Sequence, residues 1–495
     1  MRSKIGLFLG PVLFFAILLI PGQESLTPDA QAVAAVAILM ATWWITESIP
    51  MAAVALLPIA LFPILGIMPT PEVTEQYGNH IIYLFMGGFL IAVTMERWEL
   101  HRRIALTIIE WIGSTPSRIV LGFMIASAFL SMWVSNTATA MMMVPIGLAV
   151  IRQTKELFED HLVTNESESS TVQFNFALAL MLGIAYACSI GGTGTIIGTP
   201  PNTILVGVVD TMFGQSINFG GWMLFAVPLV VVMLFLCWTY LVYIAFPPGV
   251  DTLPGADEIV QNELNKLGRI TKEEQRVMVI FGLTAIAWIL NGFVHIEALE
   301  YINDSSIAIT AALLLFLTPS DFQKGIYLLD WETASKIPWG IIVLFGGGLA
   351  LAHGFTTSGL AVWIAESMLI LDGAHIFTLL LAVTGLTIIL TEVTSNTATS
   401  TMLMPILASL AAAMALHPYA LMVAAAIAAS FAFMLPVATP PNAVVFGSNM
   451  LTIPQMARAG IWLNLMGILV ISLFVYLLLP LIWGIELQTL PVWAK

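Results

Sequence analysis

The chain of 495 residues is 59% apolar and only 9% charged, whereas an ordinary soluble domain carries about 25% charged residues. A mean hydropathy of +0.95, with apolar runs from end to end, excludes a soluble fold and indicates a polytopic membrane protein. The formal charge of −14, from 30 acids and 16 bases, argues against nucleic acid as a partner, which needs clustered Lys and Arg.

In chain order, apolar stretches predict membrane segments at 5–20, 31–47, 51–66, 81–95, 119–150, 174–209, 222–246, 277–293, 304–318, 339–353, 373–416, 420–450 and 461–484. Arg2 and Lys4 precede the first run, but Pro21-Gly22-Gln23-Glu24 offers no small-x-small cleavage site, so this segment reads as a retained helix rather than a signal peptide. Cys188 and Cys237 lie inside apolar segments and match neither a metal site nor a disulfide framework.

Positive residues decide how 119–150 and 373–416 run. If both are re-entrant hairpins and the N-terminus is cytoplasmic, every Lys and Arg except Lys495 lies inside. Single crossings would instead turn the eight basic residues from Arg152 to Lys336 outward, against the positive-inside tendency. The expected fold is therefore an all-α polytopic membrane protein of about eleven transmembrane helices plus two re-entrant hairpins, with its C-terminus external.

The chain also repeats itself. Tyr83–Leu90 is answered by Val343–Ala350, and Ser135-Asn136-Thr137-Ala138-Thr139 by Ser395-Asn396-Thr397-Ala398-Thr399, both at an offset of 260 residues. Gly198-Thr199-Pro200-Pro201-Asn202 returns as Ala438-Thr439-Pro440-Pro441-Asn442 at an offset of 240, because the first half alone carries the hydrophilic stretch 152–173, read as a cytoplasmic loop. An odd number of spans separates equivalent points, so the second copy is upside down. Such an inverted repeat marks a secondary transporter with a midplane site. The expected division is an N-terminal helix and outer loop (1–30), a first repeat (31–246) with a cytoplasm-facing hairpin, a linker (247–276), a second repeat (277–484) with an outward-facing hairpin, and a tail (485–495).

The repeated motifs are polar where polarity is costly. Ser135-Asn136-Thr137 and Ser395-Asn396-Thr397 fall at hairpin tips, where no water satisfies the groups that a broken helix frees; these residue types suit helix N-caps. Thr199 and Thr439 can likewise cap helices whose first residues are Pro200 and Pro440, after a break at Gly191-Gly192-Thr193-Gly194. Four helix N-termini then converge, each carrying about half a positive charge, and their natural guest is a dianion. No Lys or Arg lies within fifteen residues of either tip except Arg152, so mobile cations must enter with the anion. Ser131 and Thr391, each four residues before a tip Ser, share its helical face and supply one hydroxyl to each of two symmetric cation sites. Glu392 is the acid nearest a tip and reads either as a proton carrier or as a carboxylate bonded to a helix end; Glu47 reads as a helix-end residue.

Together these motifs resemble the divalent anion:sodium symporter family, over essentially the whole chain from residue 31. The resemblance implies a homodimer in the plasma or inner membrane, with a static scaffold and a transport domain that moves like an elevator. It implies a substrate site of Ser135, Asn136, Thr137, Thr199, Pro200, Ser395, Asn396, Thr397, Thr439 and Pro440. One sodium is then held by Ser131, Ser135, Asn136, Gly191 and Gly198, and a second by Thr391, Thr394, Asn396, Ala438 and Pro440. Both tips keep Ser-Asn-Thr, the pattern similar to dicarboxylate carriers.

The function expected is import of a C4 dicarboxylate such as succinate coupled to sodium ions, with no organic cofactor. The rivals are a sulfate or other inorganic dianion symporter and a sodium-independent dicarboxylate exchanger. An intramembrane enzyme would need a nucleophile and base; no G-x-S-x-G elbow occurs and no His sits near a tip.

Overall fold

A computed structural model describes residues 2–21, 26–113, 115–161, 166–248, 256–294, 301–367, 373 and 375–494. Among them the chain is almost entirely helical. The first repeat is preceded by α1 (Arg2–Leu18), which packs along α2 (Pro28–Thr46). There follow α3 (Met51–Val54), α4 (Leu57–Ile64), α5 (Thr70–Glu75), α6 (His80–Arg97), α7 (Leu100–Ile112), α8 (Pro116–Ser131), α9 (Asn136–His161), α10 (Glu166–Gly192), α11 (Pro200–Phe213) and α12 (Phe219–Thr239). A helix α13 (Ala256–Leu267) leads to α14 (Lys272–Asn291), α15 (Asp304–Leu317), the small hairpin β1 (Pro319–Asp321) and β2 (Ile326–Tyr327), and α16 (Trp331–Ala334). The chain closes with α17 (Trp339–Thr357), α18 (Leu360–Ser367), α19 (Ile376–Val393), α20 (Asn396–Ala413), α21 (Pro418–Ala428), α22 (Pro440–Phe446) and α23 (Ile453–Trp483).

Seven of the described helical stretches are long and apolar enough to cross a bilayer. Of the remaining expected spans, 277–293 lies mostly in α14, an unbroken helix of 20 residues with a charged first turn, and the others are shorter or broken. The segment read as a span over 51–66 is two pieces, α3 and α4, with the break falling just before Pro58, which withholds the backbone amide that would continue α3; Pro63 lies inside α4. The stretch 152–173 is not a loop throughout: α9 continues to His161 and α10 begins at Glu166, while 162–165 lie outside the described residues. The linker 247–276 contains α13, and α7 and α18 fill stretches where sequence reading placed no element.

Both hairpins turn back. A Cβ at Gly183 of α10 would lie 3.1 Å from Met124 of α8, and a Cβ at Gly147 of α9 would lie 2.7 Å from Met181 of α10. Two positions 23 residues apart thus sit beside the same turn of α10; a straight crossing would separate them by roughly 35 Å. In the second copy, α19 starts with Phe377 against Tyr476 of α23, ring centroids 5.5 Å apart. After α20 the chain returns to the same end of α23, where Tyr419 meets Trp483 at 5.4 Å and the His417 amide donates to the Leu487 carbonyl at 3.0 Å.

The repeated glycine octets are crossing points between the halves. A Cβ at Gly87 of α6 would lie 2.6 Å from Ala308 of α15, and one at Gly347 of α17 would lie 2.3 Å from the Ala55 carbonyl beside α3. Each half therefore presses its glycines onto a helix of the other.

On one face, amphipathic α7 is tied by charge to α13 and to α14. Arg102 pairs with Glu263 at 2.6 Å, and Arg103 Nε donates to Glu274 at 2.8 Å. Glu274 also accepts the Thr271 amide at 2.7 Å in a capping box.

Candidate functional site

The two tips and the two helix breaks meet around one cavity of about 670 Å³. Its wall includes Ser135, Asn136 and Thr137 from the first tip, Ser395, Asn396 and Thr397 from the second, Gly198, Thr199 and Pro200 from one break, and Ala438, Thr439 and Pro440 from the other. Phe85 and Phe89 of α6 and Ile341 and Leu344 of α17 supply apolar surface. Among the described residues no Lys or Arg lines the cavity, and the one acid in its wall is Glu47, at the end of α2 in the left-handed conformation with φ 51°; the sequence placed it at a helix end but not in this wall.

Four helices begin here: α9, α20, α11 and α22. Pro200 and Pro440 occupy the first helical positions, as their missing amides require. The capping is uneven. Ser135 Oγ accepts the Ala138 amide at 3.2 Å and Thr439 Oγ the Asn442 amide at 3.3 Å. Ser395 makes no side-chain cap, and Thr199 Oγ instead meets Ser430 Oγ at 3.2 Å.

Beside each tip lies a cluster rich in oxygen and short of protons. Thr391 Oγ faces two acceptors, Asn396 Oδ1 at 2.8 Å and the Ala429 carbonyl at 2.7 Å. Ser131 Oγ likewise faces Asn136 Oδ1 and the Cys188 carbonyl. A hydroxyl has one proton to give, so in each copy one close oxygen pair has none between them. Both hydroxyl residues are fully buried. Gly198 joins the first cluster, since a Cβ there would lie 2.4 Å from the Gly192 carbonyl and 3.0 Å from that of Ser131. Gly191 packs on the backbone of Ala128, and Gly192 is the glycine facing Asn136. Thr394 Oγ bonds locally, to the Leu390 carbonyl at 2.8 Å and to Thr399 Oγ at 2.5 Å.

The breaks are held by residues that sequence reading did not assign. Asn202 Nδ2 donates to the carbonyls of Thr193 at 3.1 Å and Thr195 at 2.7 Å, and Asn442 Nδ2 to those of Ala432 and Leu435, both at 3.0 Å. The signal was present, since each Asn closes a repeated Thr-Pro-Pro-Asn. In the second break the freed amides of Phe433, Met434 and Leu435 donate to the Glu392 carboxylate at 2.7, 2.9 and 3.2 Å, with Asn464 Nδ2 at 2.7 Å. Of the two readings of Glu392, this geometry fits the carboxylate bonded to a helix end. Among the described residues no group of three or more His, Cys, Asp or Glu could hold a metal ion.

Two solved transporters share the fold. One is the YdaH transporter of Alcanivorax borkumensis, with a TM-score of 0.56, 13% identity, and 92% of this chain and 99% of that one covered. The other is MtrF of Neisseria gonorrhoeae, with a TM-score of 0.56, 12% identity, and coverage of 82% and 84%. In sequence the chain is 47% identical over 492 residues to the sodium-dependent dicarboxylate transporter SdcS of Staphylococcus saprophyticus. It is 46% identical to the protein of the same name in Staphylococcus aureus strain MRSA252. Each alignment covers 99% of this chain and 94% of the relative. Residues 2–489 match the sodium:sulfate symporter transmembrane region, and the chain belongs to that family of multi-pass membrane transporters.

Proposed function

We propose that this protein carries a C4 dicarboxylate such as succinate into the cell together with sodium ions, cycling as an elevator within a homodimer of the plasma or inner membrane. The observation that carries the reading is a cavity with polar tips and, among the described residues, no cationic side chain, flanked by two clusters in each of which one close oxygen pair has no proton between them. A dianion in such a cavity needs companions, because moving it against a negative-inside potential costs about 2.3 kcal/mol per charge per 100 mV. Two sodium ions cancel that charge. The first is held by Ser131, Ser135, Asn136, Gly191 and Gly198, the second by Thr391, Thr394, Asn396, Ala438 and Pro440. The dianion lies between the tips and Thr199, Pro200, Thr439 and Pro440. The names of the relatives support a dicarboxylate.

Charge bookkeeping puts the N-terminus inside, so Glu47, Pro338 and Gly340 mark the cytoplasmic mouth of the cavity and the site is open inward. Uptake of labelled succinate into proteoliposomes under an imposed sodium gradient tests the coupling; uptake indifferent to sodium defeats it. The family description favours one rival, sulfate, and excess sulfate displacing labelled succinate would identify that substrate instead.

A further inference from the structure

Away from the transport cavity, a groove of about 860 Å³ runs between α10, the end of α12 and the start of α23. Below α12 the backbone opens into a π-helical stretch, Tyr240–Ala245, an irregularity often found at functional sites. The stretch from Phe219 to Ala245 and α23 are both apolar enough to span a bilayer. Their outward residues beside the groove, among them Ile244, Ile461 and Leu465, are large, apolar and exposed.

The groove has a polar end and an apolar length. Pro454, Arg458, Trp462 and Met466 form one stripe of α23 at four-residue spacing, facing Leu178 and Ile244. Arg458 is exposed, and among the described residues it has no hydrogen-bond or ion-pair partner and no Asp or Glu lines the groove. Gln455 spends its amide oxygen on Thr452, which leaves its nitrogen and the Arg458 guanidinium as donors at the same end. Trp462 lies one helical turn deeper and is 57% exposed, an arrangement that suits a residue at the headgroup level of a membrane. A cation with no partner among the described residues, set above an aromatic ring and an apolar trough, complements a ligand with an anionic head and a hydrocarbon tail.

We propose that this groove is a binding site for an anionic phospholipid, with its phosphate on Arg458 and one acyl chain along Trp462 and Met466. The site is separate from the cavity and holds whatever the transported substrate proves to be.

The test is native mass spectrometry of the full chain in detergent, titrated with phosphatidylglycerol or with phosphatidylcholine of the same acyl chains. One basic residue near a membrane surface contributes enough to make phosphatidylglycerol about fivefold tighter. R458Q should bring the ratio close to one and R458K should keep most of it, while W462A should weaken both lipids alike. Equal affinities in the unmodified protein, an unchanged preference in R458Q, or displacement of the lipid by inorganic phosphate would each overturn the proposal. The ratio in the unmodified protein already decides, so the test survives a variant that fails to fold.

Discussion

Phe85 and Phe345 are equivalent residues of the two repeats, 260 positions apart, and they touch each other with ring centroids 5.0 Å apart at 62°. A residue that contacts its own counterpart lies on the pseudo-twofold axis relating the halves. Phe85 also lines the cavity, so the axis passes beside the site, where an inverted repeat places it.

Truncating either ring should therefore weaken the same joint. Phe85→Ala and Phe345→Ala are each expected to cost about 3–5 kcal/mol of stability. The double variant should cost less than the sum, because the pair interaction is lost only once. Thermal unfolding in detergent measures all three; strict additivity would show that the rings do not support each other.

Asn136→Ala and Asn396→Ala should each abolish or severely weaken transport while the protein still inserts. Each removes the amide oxygen that faces a buried hydroxyl, and apparent sodium affinity is expected to fall at least about tenfold. Sodium-dependent thermal shift reads this directly. Near-normal sodium affinity in both variants would contradict the cation sites.

Glu392→Ala should be more damaging to stability than Glu392→Gln. The first strands three backbone amides that the carboxylate now accepts, and each buried unpaired group costs about 1–3 kcal/mol. The second retains an acceptor oxygen. If unfolding temperatures show Glu392→Ala to be as stable as the unmodified chain, the second break is not held in this way.

Glu274 links pH to the α7–α14 joint. Burial pushes its carboxyl up, but the Arg103 guanidinium and the Thr271 amide more than offset this and leave it below the usual carboxylate range. A group depressed in the folded state contributes stability that is complete above its unfolded value, about 4.3, and is lost as pH falls through its folded value. Stability should accordingly decline on acidification below about pH 5, and Glu274→Gln should flatten that part of the curve. An identical pH profile in the variant would show that the pair does not contribute.

Much of this was legible because it is written twice. The offset that joins Ser135 to Ser395 also joins Ser131 to Thr391, and the structure brings both pairs to the cavity or its flanking clusters. What was not legible is what the copies do not share. Glu392 has Met132 as its counterpart in the first half, so repetition could not reveal it. The first break satisfies part of its backbone through tight turns, with the Gly194 amide donating to the Gly191 carbonyl at 2.9 Å. The second has no glycine and relies on a carboxylate from another helix. Glu47 is the helix-end residue that the sequence indicated, but its place in the wall was not legible, because it depends on Pro338 and the start of α17, almost 300 positions away, lining the same cavity. The helices α7 and α13 were missed because their charged faces read as loops until Arg102, Arg103, Glu263 and Glu274 are seen to pair.

The hydroxyl contact between Thr199 and Ser430 has a partner in Tyr186, whose hydroxyl donates to the Phe433 carbonyl at 2.9 Å. Both threads run from the front half of the polypeptide to the back half, at the places where helices are interrupted. Cargo and ions would thus ride in a single cradle stitched across the gene's midpoint, and neither half could shift its share of the load alone.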